Sequence, residues 1–81
     1  MIRITTQVEG NLTIVTIDGQ MVESDLKAIR RVRKSVPGAV LLNLRGLDEC
    51  GADGVQLLRA WLDAGAKLQD ATPFMQMILK N

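Results

Sequence analysis

The chain has 81 residues, 47% of them hydrophobic, and a formal net charge of +1. That length makes one small domain with a modest core, and the near-neutral charge argues against a general polyanion-binding surface. One Cys, no His and no Tyr exclude an intramolecular disulfide and any Ser/His or Cys/His nucleophile pair. A zinc site would need ligands that this composition lacks. The lone thiol fits a reducing cytosol. The first residues alternate instead of forming an apolar leader, and no apolar run approaches the ~20 residues of a membrane span. The chain is therefore read as cytoplasmic and non-enzymatic, with no cofactor, no metal, no nucleic-acid partner and no direct membrane insertion.

Ile2 to Val8 alternates, with Ile2, Ile4, Thr6 and Val8 on one face and Arg3, Thr5 and Gln7 on the other. Period two with β-branched residues predicts a half-exposed strand. Glu9-Gly10-Asn11 supplies a tight turn, and Leu12 to Ile17 returns as a more buried strand that Asp18-Gly19 ends. From Val22 to Val36 the period becomes helical, with Val22, Leu26, Ile29, Val32 and Val36 near one face. Ser24 or Glu23 suits its start, and Asp25 suits the positive end of the helix dipole. Lys27, Arg30, Arg31, Arg33 and Lys34 gather toward the other end. They read as a solvated face obeying the dipole in preference to a phosphate-binding patch. Pro37-Gly38 stops this helix.

Val40-Leu41-Leu42-Asn43-Leu44 is an apolar run too continuous for a strand with one wet face, and is read as the central buried strand. A polar, tight segment follows, Arg45 to Gly54, and then a helical pattern from Val55 to Ala64 with Asp53 as its N-cap. Val55, Leu57, Leu58, Trp61, Leu62 and Ala64 cover about half of the helical wheel. Gly65 suits the position after the helix. Ala66-Lys67-Leu68-Gln69 reads as a short strand parallel to the central one. Thr72-Pro73 looks like an N-cap followed by Pro at the first helical position, before an apolar closing helix with Phe74, Met75, Met77, Ile78 and Leu79. Residues 1–81 thus form a single α/β domain of order β-β-α-β-α-β-α, a mixed sheet with helices packed on it.

A strand, a Gly-rich loop and a helix meet at residues 40–62, and in open α/β sheets such a loop is where ligands and partners reach the domain. Three of its groups have competing readings. Cys50 is taken as a small half-buried apolar residue ending the strand, in preference to a redox-sensing thiol. Asp48, Glu49 and Asp53 are taken as solvated carboxylates in preference to a cation site. Trp61 is taken as a core anchor in preference to a partner contact. Met75 and Met77 are read as packing, with an adaptable dimer or partner surface as the second reading.

From Leu44-Arg45-Gly46-Leu47 through Gly54-Val55-Gln56-Leu57-Leu58 the chain resembles the STAS domain, the family of bacterial anti-sigma-factor antagonists and of the cytoplasmic tails of sulfate transporters. Aligned without gaps, Leu44, Gly46, Leu47, Gly54 and Leu58 keep the family pattern. Ile17-Asp18-Gly19-Gln20-Met21, Gly65-Ala66-Lys67-Leu68 and Thr72-Pro73-Phe74 resemble further family segments, in the same order and spacing. The resemblance implies a STAS-like fold and a protein-interaction module. The departures fall in the loop. Phosphorylation-controlled members carry an acceptor Ser where this chain has Ala52, so that switch has no hydroxyl to act on. The usual strand-end Asp is Asn43, and Glu49 and Cys50 replace an aromatic residue and Ile.

The expected partner-binding residues are Cys50, Gly51, Ala52, Asp53, Gly54, Gln56 and Leu57. By resemblance the partner is an anti-sigma factor or similar kinase-like regulator; a membrane-transporter subunit is the alternative, and a homodimer is allowed. A third reading places a small anion or nucleotide on the backbone N–H groups of the same loop. Asp53, one residue from the missing acceptor, reads as a helix cap in preference to a permanent mimic of phosphate.

Overall fold

The computed structural model describes residues 2–36 and 38–80. Strands β1 (Ile2–Glu9) and β2 (Leu12–Met21) form the expected antiparallel hairpin, with Glu9 paired to Leu12 across a two-residue turn. Gly10 takes φ 61° there and Asn11 stays at negative φ. That is the pattern of a type II′ turn, whose twist matches the flanking strands. Strand β2 runs past Asp18-Gly19 to Met21, longer than its sequence suggests.

The single helix expected over 22–36 is two pieces, a 3₁₀ turn at Glu23–Asp25 and helix α1 at Leu26–Ser35. Neither Ser24 nor Glu23 caps it. Asp25 Oδ2 instead accepts from the Val22 N–H at 3.0 Å, while the Asp25 N–H donates to Val22 O at 2.9 Å. Two reciprocal bonds close a tight turn of the 3₁₀ kind at the helix start. The expected stop at Pro37-Gly38 falls partly outside the described residues. Helix α1 ends at Ser35, and Gly38 has φ 78°.

Strand β3 (Ala39–Leu44) pairs parallel with β2 over Leu12–Thr16. At Arg45-Gly46 the chain jogs. Asn43 Oδ1 accepts from the Arg45 N–H at 3.2 Å, and Gly46 O accepts from the Gly19 N–H at 2.8 Å. A short strand β4 (Leu47–Cys50) then takes over the β2 ladder at Gly19–Met21, with a register shift between Gly19 and Gln20. Helix α2 (Ala52–Asp63) follows after the single residue Gly51, three residues before the expected start at Val55. Between them, β4 and the first turn of α2 replace most of the loop expected over 45–54. The helix leads to β5 (Lys67–Ala71), parallel to β3 as expected. Helix α3 (Pro73–Lys80) closes the fold, and Thr72 Oγ1 accepts from the Met75 N–H at 3.2 Å as the N-cap reading requires.

The strand order is β1-β2-β3-β5, with β4 beside β2. Both crossovers step in the same direction across the sheet, and uniform handedness then puts α1 and α2 on one face. Burial agrees. Val15, Ile17 and Met21 of β2 and Val40, Leu42 and Leu44 of β3 are buried against Leu26 and Ile29 of α1, Leu58 and Trp61 of α2, and Met75 and Leu79 of α3. Leu41 and Asn43, on the other face of β3, are only half-buried. The central strand is therefore covered on one side, not two. Its apolar run is explained by strand neighbours on the open face instead of by a second helical layer.

Trp61 is a core residue, 4% exposed. The methionine pair splits: Met75 is buried, whereas Met77 is exposed beside an exposed Phe74. Residues 74 and 77 share a helix face, so the apolar closing helix has a wet side, and of the two methionines read as packing only Met75 packs. Two devices hold α2 and α3 in place. Helix α2 ends with the Ala66 N–H bonded to Trp61 O at 3.2 Å and the Gly65 N–H bonded to Leu62 O at 3.0 Å. This Schellman arrangement needs a residue with positive φ after the helix, and Gly65, at φ 115°, supplies it. Across the helix pair, Arg59 Nε and Nη2 both donate to Ile78 O, at 3.2 and 2.6 Å. The guanidinium satisfies a carbonyl that the last turn of α3 would leave unpaired.

Candidate functional site

With β4 ending at Cys50 and α2 beginning at Ala52, the polar segment 45–54 keeps only the Arg45-Gly46 turn and Gly51 outside regular structure. Gly51, not Asp53, is the N-cap: its backbone is extended (φ −72°, ψ 172°) and its carbonyl accepts the first helical bond, from Val55 N–H at 3.0 Å. Asp53 lies inside the first turn. Its charge there opposes the helix dipole favourably without any side-chain cap bond.

Gly51, Ala52, Asp53 and Gln56 are exposed, Cys50 and Leu57 are half-buried, and Gly54 is buried. Gly54 is a packing position. A Cβ built on it would lie 2.5 Å from Met21 Sδ and 2.6 Å from Cys50 Sγ. The bare backbone is what lets the first turn of α2 approach the ends of β2 and β4.

Around this turn run three shallow grooves. The largest, about 550 Å³, separates α1 from α2. Lys27 and Arg30 form one wall and Asp53 and Gln56 the other, with Leu26 and Leu57 between them. A smaller one, about 160 Å³, continues it past Val22 and Glu23 to Gly51, Ala52, Asp53 and Gly54. The third lies on the opposite side of α2, where Cys50, Ala52 and Gln56 join Arg59 and Ile78. The seven residues expected to bind a partner thus surround one helix start but divide between two sides of it. Glu23, Leu26, Lys27 and Arg30, which face them across the main groove, were not among the expected site residues. Their only sequence signal is the i, i+3 spacing of Lys27 and Arg30, which places both on one side of α1.

Comparison with known protein families and with characterised proteins gives no match. Among the described residues, no helix is long and apolar enough to cross a membrane, and no three His, Cys, Asp or Glu side chains converge as metal ligands.

Cys50 has the environment of a packed residue. Its Sγ lies 3.6 Å from Met21 Sδ and 3.6 Å from Gly51 O. Burial raises its pKa, so the thiol stays protonated at neutral pH, unlike the thiolate of a redox sensor. The linkage has a definite sign. Above the ordinary thiol range of about 8.5 the folded state holds a proton that the unfolded chain has lost, so stability falls as pH rises. Urea titrations from neutral to alkaline pH should show that fall, and Cys50→Ala should remove the part due to this thiol. A Cys50→Ala variant with an unchanged alkaline slope would contradict it.

Proposed function

We propose that this chain is a STAS-like, non-catalytic docking module of the cytoplasm that binds a regulatory protein through the start of α2. The supporting observation is that Asp53, Gln56 and Leu57 share one open groove with Lys27 and Arg30. Acidic and basic walls over an apolar floor suit a partner segment that offers an apolar residue flanked by charges of both signs. The element order β-β-α-β-α-β-α, with one added short strand, is compatible with the resemblance. The same resemblance makes an anti-sigma factor or similar kinase-like regulator the partner. With Ala52 at the acceptor position, docking is constitutive at this site, without a phosphate switch.

Capture by the immobilised chain, with mass spectrometry of what is retained, tests the reading. Asp53→Lys and Gln56→Glu should each reduce retention of the wild-type partner by at least about tenfold, as reversed or added charge does at a polar rim contact. Both variants should keep the wild-type circular dichroism. Equal capture by wild type and both variants would remove the groove as the interface.

A further inference from the structure

The two edges of the sheet are not equally protected. Strand β5 has five residues, carries Lys67 and Asp70, and has a register shift against β3. Such features discourage pairing with another chain. Strand β1 has eight residues, pairs regularly with β2 along its whole length, and has no charge between Arg3 and Glu9. Its Val8 is 70% exposed. Beside it, on the helix-covered face, Ile4, Thr6 and Val8 line a groove of about 310 Å³ closed by Val32 and Val36 of the α1 end.

The direction of the free backbone groups follows from the hairpin. In a two-residue hairpin the flanking pair, here Glu9 and Leu12, is the hydrogen-bonded one, and bonded and non-bonded pairs then alternate. Arg3, Thr5, Gln7 and Glu9 are thereby committed to β2. The N–H and C=O groups of Ile4, Thr6 and Val8 point to the open edge.

We propose that β1 pairs antiparallel with β1 of a second copy about a two-fold axis at Thr6, continuing the sheet through a homodimer. The sequence Arg3-Ile4-Thr5-Thr6-Gln7-Val8-Glu9 is self-complementary in that register. Thr6 faces Thr6 of the second copy, Ile4 faces Val8, Thr5 faces Gln7, and Arg3 faces Glu9 in both directions. The outward backbone groups of Ile4, Thr6 and Val8 fall in hydrogen-bonded pairs. Each exposed Val8 is covered by an Ile on the same face, and opposite charges meet on the other. A two-fold interface is closed, so pairing stops at two chains.

Sedimentation velocity over a concentration series tests this. Wild type should dimerise. Arg3→Glu alone and Glu9→Arg alone should each weaken the dimer about tenfold, because two exposed ion pairs become two repulsions. The double variant carrying both changes restores complementarity and should restore wild-type dimerisation. Thr6→Pro removes an outward N–H that β2 does not use and should leave only monomer. A wild type that is monomeric at every concentration, a double variant no better than the singles, or open-ended assembly would each overturn the proposal. The charge-swap series stands even where Thr6→Pro fails to fold.

Discussion

Leu58→Ala is expected to lower stability by about 3 kcal/mol, the usual range for a fully buried leucine being roughly 2–5 kcal/mol. Leu58 has no exposed surface and sits in the middle of the Gly54, Leu58 and Trp61 stripe by which α2 enters the core. An 81-residue domain has a total stability on the order of 4–12 kcal/mol. The loss is thus a large fraction of the whole, and Tm should fall by roughly 12–24 °C. The neighbouring Leu57→Ala makes the comparison informative. Leu57 is half-buried and lines the groove, so its truncation should cost less than about 1.5 kcal/mol by area while still weakening partner capture. Thermal unfolding followed by circular dichroism separates the two. A Leu58→Ala protein that melts no lower than Leu57→Ala would mean that α2 is not seated as described.

What the sequence discloses and what it conceals differ by range of interaction. The β1–β2 turn, Gly65 after α2 and the Thr72-Pro73 start of α3 are specified by residues within a few positions of each other and are found where expected, and β5 is found with its ends shifted by one and two residues. Strand β4 is not legible in the sequence, for the opposite reason. Leu-Asp-Glu-Cys is four residues with two adjacent carboxylates, and nothing local marks it as a strand. It exists because β2 extends to Met21 and has an unpaired edge there, some thirty residues earlier in the chain. The same event moved the start of α2. Once β4 occupies residues 47–50, only Gly51 remains to turn the chain, and the helix must begin before Asp53. The candidate site changed accordingly from a loop to a helix start facing α1. Its second wall, Lys27 and Arg30, lies outside the last turn of α1, where Arg33 and Lys34 are the only cations. The helix dipole therefore does not account for these two, and their place in a groove shows only when α1 and α2 are seen side by side. Met77 shows the limit of composition. Its helix is apolar almost throughout, yet eight residues packed against one face must leave another wet.

The position of that helix start rests on Gly54, and its replacement should have the second large effect. Gly54→Val is expected to cost about 2 kcal/mol, since overpacking a closed site typically costs 1–3 kcal/mol. Met21 is 4% exposed, so its sulfur must displace core neighbours to make room for a new methyl group, whereas the half-buried Cys50 yields more easily. Gly54→Ala sets two effects against each other. Alanine gains about 0.8–1.0 kcal/mol over glycine in a helix interior, but its Cβ would stand 2.5 Å from Met21 Sδ and 2.6 Å from Cys50 Sγ. Overpacking should win narrowly, leaving Gly54→Ala destabilised by about 1 kcal/mol. The discriminating measurement is the same substitution in a Met21→Val, Cys50→Ala background, where both sulfurs are gone. There the propensity gain should prevail and the sign reverse, giving a coupling of about 1–2 kcal/mol in urea titrations. An alanine that destabilises equally in both backgrounds would show that Gly54 is required for some reason other than the approach of α2 to β2 and β4. A reversed sign would tie the placement of Ala52, Asp53 and Gln56, and hence of the groove they border, to the absence of one methyl group.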